Sequence, residues 1–141
     1  MNPPTNELRE SVSRRVVEIR AMPDAEVDTI LDEVIAQING ELQRELDQNP
    51  LSGDHANAQE LAAACDAWAS LVSHALVQAY APMSPFPRNV AGWGQRAIQR
   101  VQQFSATLRG PLAVAQQGLN ASSYSISVGF PWGISIGFTW P

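Results

Sequence analysis

The chain reads as a mainly α protein: a four-helix bundle-like domain followed by a C-terminal antiparallel β-hairpin. Three observations predict this. Apolar residues recur at three- and four-residue spacing through most of residues 5–109, the signature of amphipathic helices. Proline-bearing or glycine-bearing breaks divide that stretch into segments of helical length. The final stretch, YSISVGFPWGISIGFTWP, changes period altogether: from Ile126 to Trp140 every even position is apolar and every odd one is Ser, Gly, Pro or Thr. Residues 1–118 form the helical domain and residues 119–141 the hairpin tail. At 141 residues the chain is long enough to bury a core of its own.

The first helix is expected over 5–21, with Leu8, Val12, Val16 and Ile19 on one face. That stripe is thin, so the helix is peripheral. Glu10/Arg14 and Arg14/Glu18 at i,i+4 suit its exposed side. The second helix is expected over 23–48. Pro23 suits its first position, and Asp24, Glu26 and Asp28 fall in its electropositive first turn. Val27, Ile30, Leu31, Val34, Ile35, Ile38, Leu42 and Leu46 make the strongest helical stripe in the chain. Gly40 weakens it by about 1 kcal/mol.

DQNPLSGDHAN reads as a loop, and Asn57 with Glu60 reads as a capping box for a third helix over 57–81. Its alanines let a neighbour approach closely. APMSPFPRN cannot stay helical through Pro82, Pro85 and Pro87. The fourth helix is expected over 89–109, with Ile98, Val101, Phe104 and Leu108 inward, stopped by Gly110-Pro111. A short further turn covers 111–117. The hairpin strands are expected over 124–130 and 134–140, about a three-residue Pro131-Trp132-Gly133 turn, which pairs Phe130 with Ile134 and Ile126 with Phe138.

Charge is unevenly placed. Residues 1–66 hold all 14 acids and five arginines, net −9; residues 67–141 hold four arginines and no acid, net +4; nothing after Arg109 is charged. An acidic chain with scattered cations is a poor ligand for phosphate backbones. Arg96 and Arg100 form a like-charge i,i+4 pair, and the acidic ladder Asp24, Asp28, Asp32 of the second helix is the expected partner, within the subunit or across a contact. That ladder reads as a solvated acidic face rather than a metal site. Cys65 falls in an apolar stripe and reads as core. His55 reads as a solvated loop residue, and no pairing of Cys65 with His74 is possible nine residues apart on one helix. With no metal-ligand spacing, nucleophile–base pair or phosphate-cradling loop in the sequence, the chain is expected not to be an enzyme and to carry no cofactor and no metal.

The N-terminus has no apolar signal segment, and no run approaches the ~18 apolar residues of a spanning helix. The chain is therefore expected in the cytoplasm, or assembled there first. Its hairpin presents Tyr124, Ile126, Val128, Phe130, Trp132, Ile134, Ile136, Phe138 and Trp140 on one side. Covering such a face is worth roughly 10–20 kcal/mol gross. Two coverings satisfy it: the chain's own helices, or another subunit reached by strand addition. No charge guards the strand edges, which favours the second. A homo-oligomer built through the hairpin is the leading expectation. A membrane-acting effector whose hairpin inserts or oligomerises into a pore is the alternative, set back by arms that reach only ~23 Å.

AEVDTILDEVIAQINGELQREL, then a proline-containing loop, an alanine-rich helix, a proline-rich loop and NVAGWGQRAIQRVQQFSATLRGP resemble the head-to-tail connector (adaptor) proteins of tailed bacteriophages over about residues 23–112. The resemblance implies a non-enzymatic virion protein, assembled in the bacterial cytoplasm as a ring that joins portal and tail proteins. It implies extended segments that reach neighbouring subunits, and an acidic half that lines a channel where DNA slides without sticking.

Overall fold

A computed structural model describes residues 1–19, 21–51, 54–79, 90–129 and 133–141, with the side chains of residues 24, 55, 90–97, 128, 129 and 133 outside that description. Four helices, α1 (Asn6–Ile19), α2 (Asp24–Gln48), α3 (His55–Ala79) and α4 (Val90–Gly118), precede two strands, β1 (Ser123–Gly129) and β2 (Gly133–Thr139). The mainly α class with a terminal hairpin is what the two periodicities dictate. The expected Phe130, Pro131 and Trp132 positions, the proline-rich 81–89 segment, and the side chains of Asp24, His55, Arg96 and Val128 lie outside the described residues.

α2 and α3 form the middle of the bundle. α1 packs on one side against both, and α4 on the other against both. The core joins Leu31, Val34, Ile38 and Leu42 of α2 to Cys65, Trp68, Val72 and Leu76 of α3 and to Val101, Phe104, Leu108 and Leu112 of α4. α1 contributes Leu8, Val12, Val16 and Ile19, all buried. Its polar side is tied to α2: Arg15 pairs with Glu33, and Gln37 Nε2 donates to Ser11 Oγ at 3.2 Å. Thr5 caps α1, its Oγ1 accepting the Leu8 N–H at 3.1 Å. The segment before it is pinned too: Trp68 Nε1 donates to the Asn2 carbonyl at 2.8 Å, and the Asn2 N–H donates to Glu45 Oε1 at 2.6 Å.

α1 runs Asn6–Ile19 rather than over 5–21, each strand begins one residue early, at Ser123 and Gly133, and three further boundaries differ from the sequence reading. Pro23 stands just outside α2 with extended backbone, φ −64° and ψ 156°, and its carbonyl accepts from Glu26 and Val27. α3 starts at His55 rather than at 57: Asp54 precedes it and takes the Ala58 N–H at 2.7 Å, which moves the cap away from Asn57. α4 does not stop at Gly110-Pro111 but runs to Gly118, with Pro111 inside it. The apolar stripe explains this. Leu112 and Ala115 continue the face of Val101, Phe104 and Leu108 and are fully buried. Their burial outweighs the roughly 3 kcal/mol that an interior proline costs.

α4 ends in a Schellman motif. Ala121 N–H donates to the Gln116 carbonyl at 3.0 Å and Asn120 N–H to Gln117 at 3.2 Å, with Asn120 left-handed at φ 56°. The chain then enters β1. The strands pair antiparallel as Tyr124↔Phe138, Ile126↔Ile136, Val128↔Ile134 and Gly129↔Gly133. This register is two residues away from the expected one. The alternating pattern fixes which face each residue takes but leaves shifts of two equivalent. The pair closing the loop is Gly129 with Gly133, so Trp140 lies beyond the ladder.

Candidate interaction surface: the C-terminal ribbon

Strand alternation puts Ser123, Ser125, Ser127, Ser135 and Thr139 on the solvent side, all exposed. The opposite face lies against the chain's own helices, β2 on α3 and β1 on α4. Ile134 is buried in the main core, and Tyr124, Ile126, Ile136 and Phe138 pack against it while staying half-buried. The subunit therefore covers most of the described residues of the face that sequence reasoning favoured as a contact with another chain. Among the described residues of that face Trp140 is the exception, 56% exposed. Its ring sits 6.2 Å from that of Phe138, and its Nε1 donates to the Leu119 carbonyl at 3.3 Å.

The sequence reading missed what anchors the ribbon. Ser73 on α3 accepts the Ile134 N–H at 2.9 Å, with the Ile134 carbonyl 3.4 Å from the same oxygen. Just before β1, Gln116 Nε2 donates to the Ser122 carbonyl at 3.0 Å. The available signal was a small hydroxyl, Ser73, in a helix whose alanines already called for a close neighbour.

The N–H and C=O of one residue in a strand point to the same side. Ile134 turns both toward Ser73, away from β1. The ladder bonds therefore run through the serine and glycine positions, and the apolar positions direct their main chain to the outer edges. Thr139 agrees with this, its carbonyl turned inward to accept the Ser122 N–H at 2.7 Å.

The charged cluster sits elsewhere, between α2 and α4. Arg100, with its side chain only 17% exposed, pairs with Asp28 at 3.2 Å and with Asp32. Thr107 Oγ1 donates to Asn39 Oδ1 at 2.9 Å about two turns further along, so α2 and α4 run parallel. A groove of about 430 Å³ opens there, lined by Asn39, Gly40, Gln43 and Gln103 beside the Arg100 pair. Cys65 is fully buried, and burial pushes its thiol up to about 12. His74 is exposed on the same helix. Among the described residues, no group of three His, Cys, Asp or Glu could hold a metal ion, and no helix is long and apolar enough to cross a membrane.

Comparison with protein-family models, with curated proteins and with solved structures gives no match for the chain.

Proposed function

We propose that the chain is a non-catalytic assembly protein that works as a homo-oligomer, with the C-terminal ribbon in its contacts. The observation that carries this is a two-stranded sheet with no charged residue in either strand, mounted on a helical bundle whose α3 occupies the β2 edge and leaves the β1 edge as the unguarded one. Isolated two-stranded ribbons are marginal in water, and folded monomers commonly blunt such edges with charge, proline or cover. Because the bundle covers the inner face of this ribbon among the described residues, the β1 edge and Trp140 are what those residues offer to a neighbour.

Within that class we favour a virion head-to-tail connector ring joining portal and tail proteins. The support is the resemblance over residues 23–112, a stretch that includes α2, α3 and most of α4. Light scattering of the full chain on a sizing column, from micromolar to hundreds of micromolar, tests the oligomer, and negative-stain microscopy tests the ring. Closed rings support the connector reading, and oligomers without rings remove it. A monomer throughout that range overturns the assembly reading. Leakage from liposomes by that monomer favours a pore-forming hairpin instead.

A further inference from the structure

The two edges of the ribbon are not equivalent. On β2, the outward N–H of Ile134 is already taken by Ser73, and the strand lies along α3. Just before β1, the carbonyl of Ser122 is taken by Gln116. From Tyr124 onward the edge changes: among the described residues, no main-chain or side-chain group bonds the outward N–H and C=O of Tyr124 and Ile126. Those four groups form a short run of strand edge with alternate donors and acceptors, on a strand that carries no charged residue.

The geometry points to β1 as the seam of a two-fold dimer, in which β1 of one copy pairs antiparallel with β1 of a second to give one sheet ordered β2-β1-β1-β2. This rests on the homo-oligomer reading above and names its contact. The argument for a second copy is cover. β2 lies on α3 and β1 on α4, so a strand added beside β1 needs a further floor for its inward side chains. A free peptide brings none. A second copy of this chain brings its own α4 beneath its own β1, with Ile126 and Tyr124 already packed against its core. Its strand also has the required pattern, apolar inward and serine outward. An edge that pairs with itself is the arrangement a two-fold axis produces.

The test uses the full chain and substitutions on the exposed outer face, where folding is not at stake. In the proposed seam, Ser125 and Ser127 of one copy face the same residues of the other. Ser125→Glu/Ser127→Glu then sets like charges opposite each other, which is destabilising, and self-association should weaken at least tenfold. Ser135→Glu/Thr139→Glu places the same charges on β2 and should leave it within twofold of the unmodified protein. Circular dichroism confirms that both variants keep their helices. If the unmodified chain oligomerises and the β1 variant associates as well as it does, the seam is wrong while the assembly reading stands. If the β2 variant is the one that dissociates, the other edge is in use and the inference falls. If the unmodified chain never associates, both fall together.

Discussion

Ser73 and Ile134 are joined through one hydroxyl that serves both a helix and a strand. Ser73 Oγ accepts the Ile134 N–H at 2.9 Å, and its proton is turned to the Ala69 carbonyl at 3.0 Å, one turn back in α3. The helix supplies a hydrogen-bonding group to a strand edge at the point where Ile134 enters the core. The apolar face supplies most of the adhesion between ribbon and bundle, and this bond fixes where along α3 the ribbon sits.

Ser73→Ala removes that acceptor and strands the N–H of a residue only 8% exposed. An unsatisfied buried donor costs about 1–3 kcal/mol. Denaturant unfolding should show a loss of that size. Amide exchange should show the Ile134 N–H opening more readily, with helix α2 unaffected. A variant with unchanged stability and unchanged protection at Ile134 would show the bond to be incidental.

Arg100→Gln removes the cation between Asp28 and Asp32. Asp28 is only 22% exposed at its side chain, so it is left with little solvent, whereas Asp32 is half in water. The exposed half of the pair contributes little, and the loss centres on Asp28. Unfolding should show a decrease of about 1–2 kcal/mol. Adding Asp28→Asn should recover part of it, because both partners are then neutral. If the double variant is no better than Arg100→Gln alone, the pairing is not what stabilises this corner.

Pro111 makes a further case. Its missing N–H leaves the Thr107 carbonyl without its helical partner, and an interior proline costs about 3 kcal/mol. Its ring is buried, and trimming it to alanine forfeits about 0.8 kcal/mol per methylene. The helix term is the larger, so Pro111→Ala should stabilise the chain by about 1 kcal/mol in denaturant unfolding. A destabilised variant would mean that the proline's contacts decide the site.

These residues mark what could and could not be read in advance. The sorting of hairpin residues into two faces was legible, because a period of two depends on sequence alone. The register was not, because Val128 with Ile134 and Val128 with Ile136 put the same side chains on the same face. The end of α4 was misread for a related reason. Gly110-Pro111 is a strong local stop, and only the tertiary burial of Leu112 and Ala115 overrides it. The seat of the ribbon was also undetermined. Alternation says that a face must be covered and is silent on what covers it. Cross-bundle bonds such as Trp68 to Asn2, 66 residues apart, leave no trace in any local pattern.

Ser105 is buried at 5% exposure, and its Oγ has no hydrogen-bond partner among the described residues. A hydroxyl in that position loses its water and gains nothing in exchange. Ser105→Ala keeps the small volume and removes the orphaned group. The expected result is a gain of about 1 kcal/mol, measurable as a raised denaturation midpoint at unchanged m-value. A loss of similar size would show that the hydroxyl is bonded in solution, to an internal water or to the α4 backbone.

Cys65 gives the pH dependence a sign. Burial raises its thiol from 9.0 to about 12, so the folded chain holds its proton where the unfolded chain releases it. Below pH 9 both states keep the proton and this contribution to stability is fully present. Between about 9 and 12 the unfolded state binds fewer protons, and stability falls with rising pH by about 1.4 kcal/mol per unit. Cys65→Ala loses some packing in the core at every pH but removes this slope. The gap between the two proteins should therefore narrow as the pH rises above 9. In the native chain at pH 8 the thiol should resist a disulfide reagent, and it should react at once in denaturant. Parallel stability curves from pH 8 to 11, or a thiol that reacts freely in the native state, would place Cys65 in contact with solvent and refute its burial between the helices.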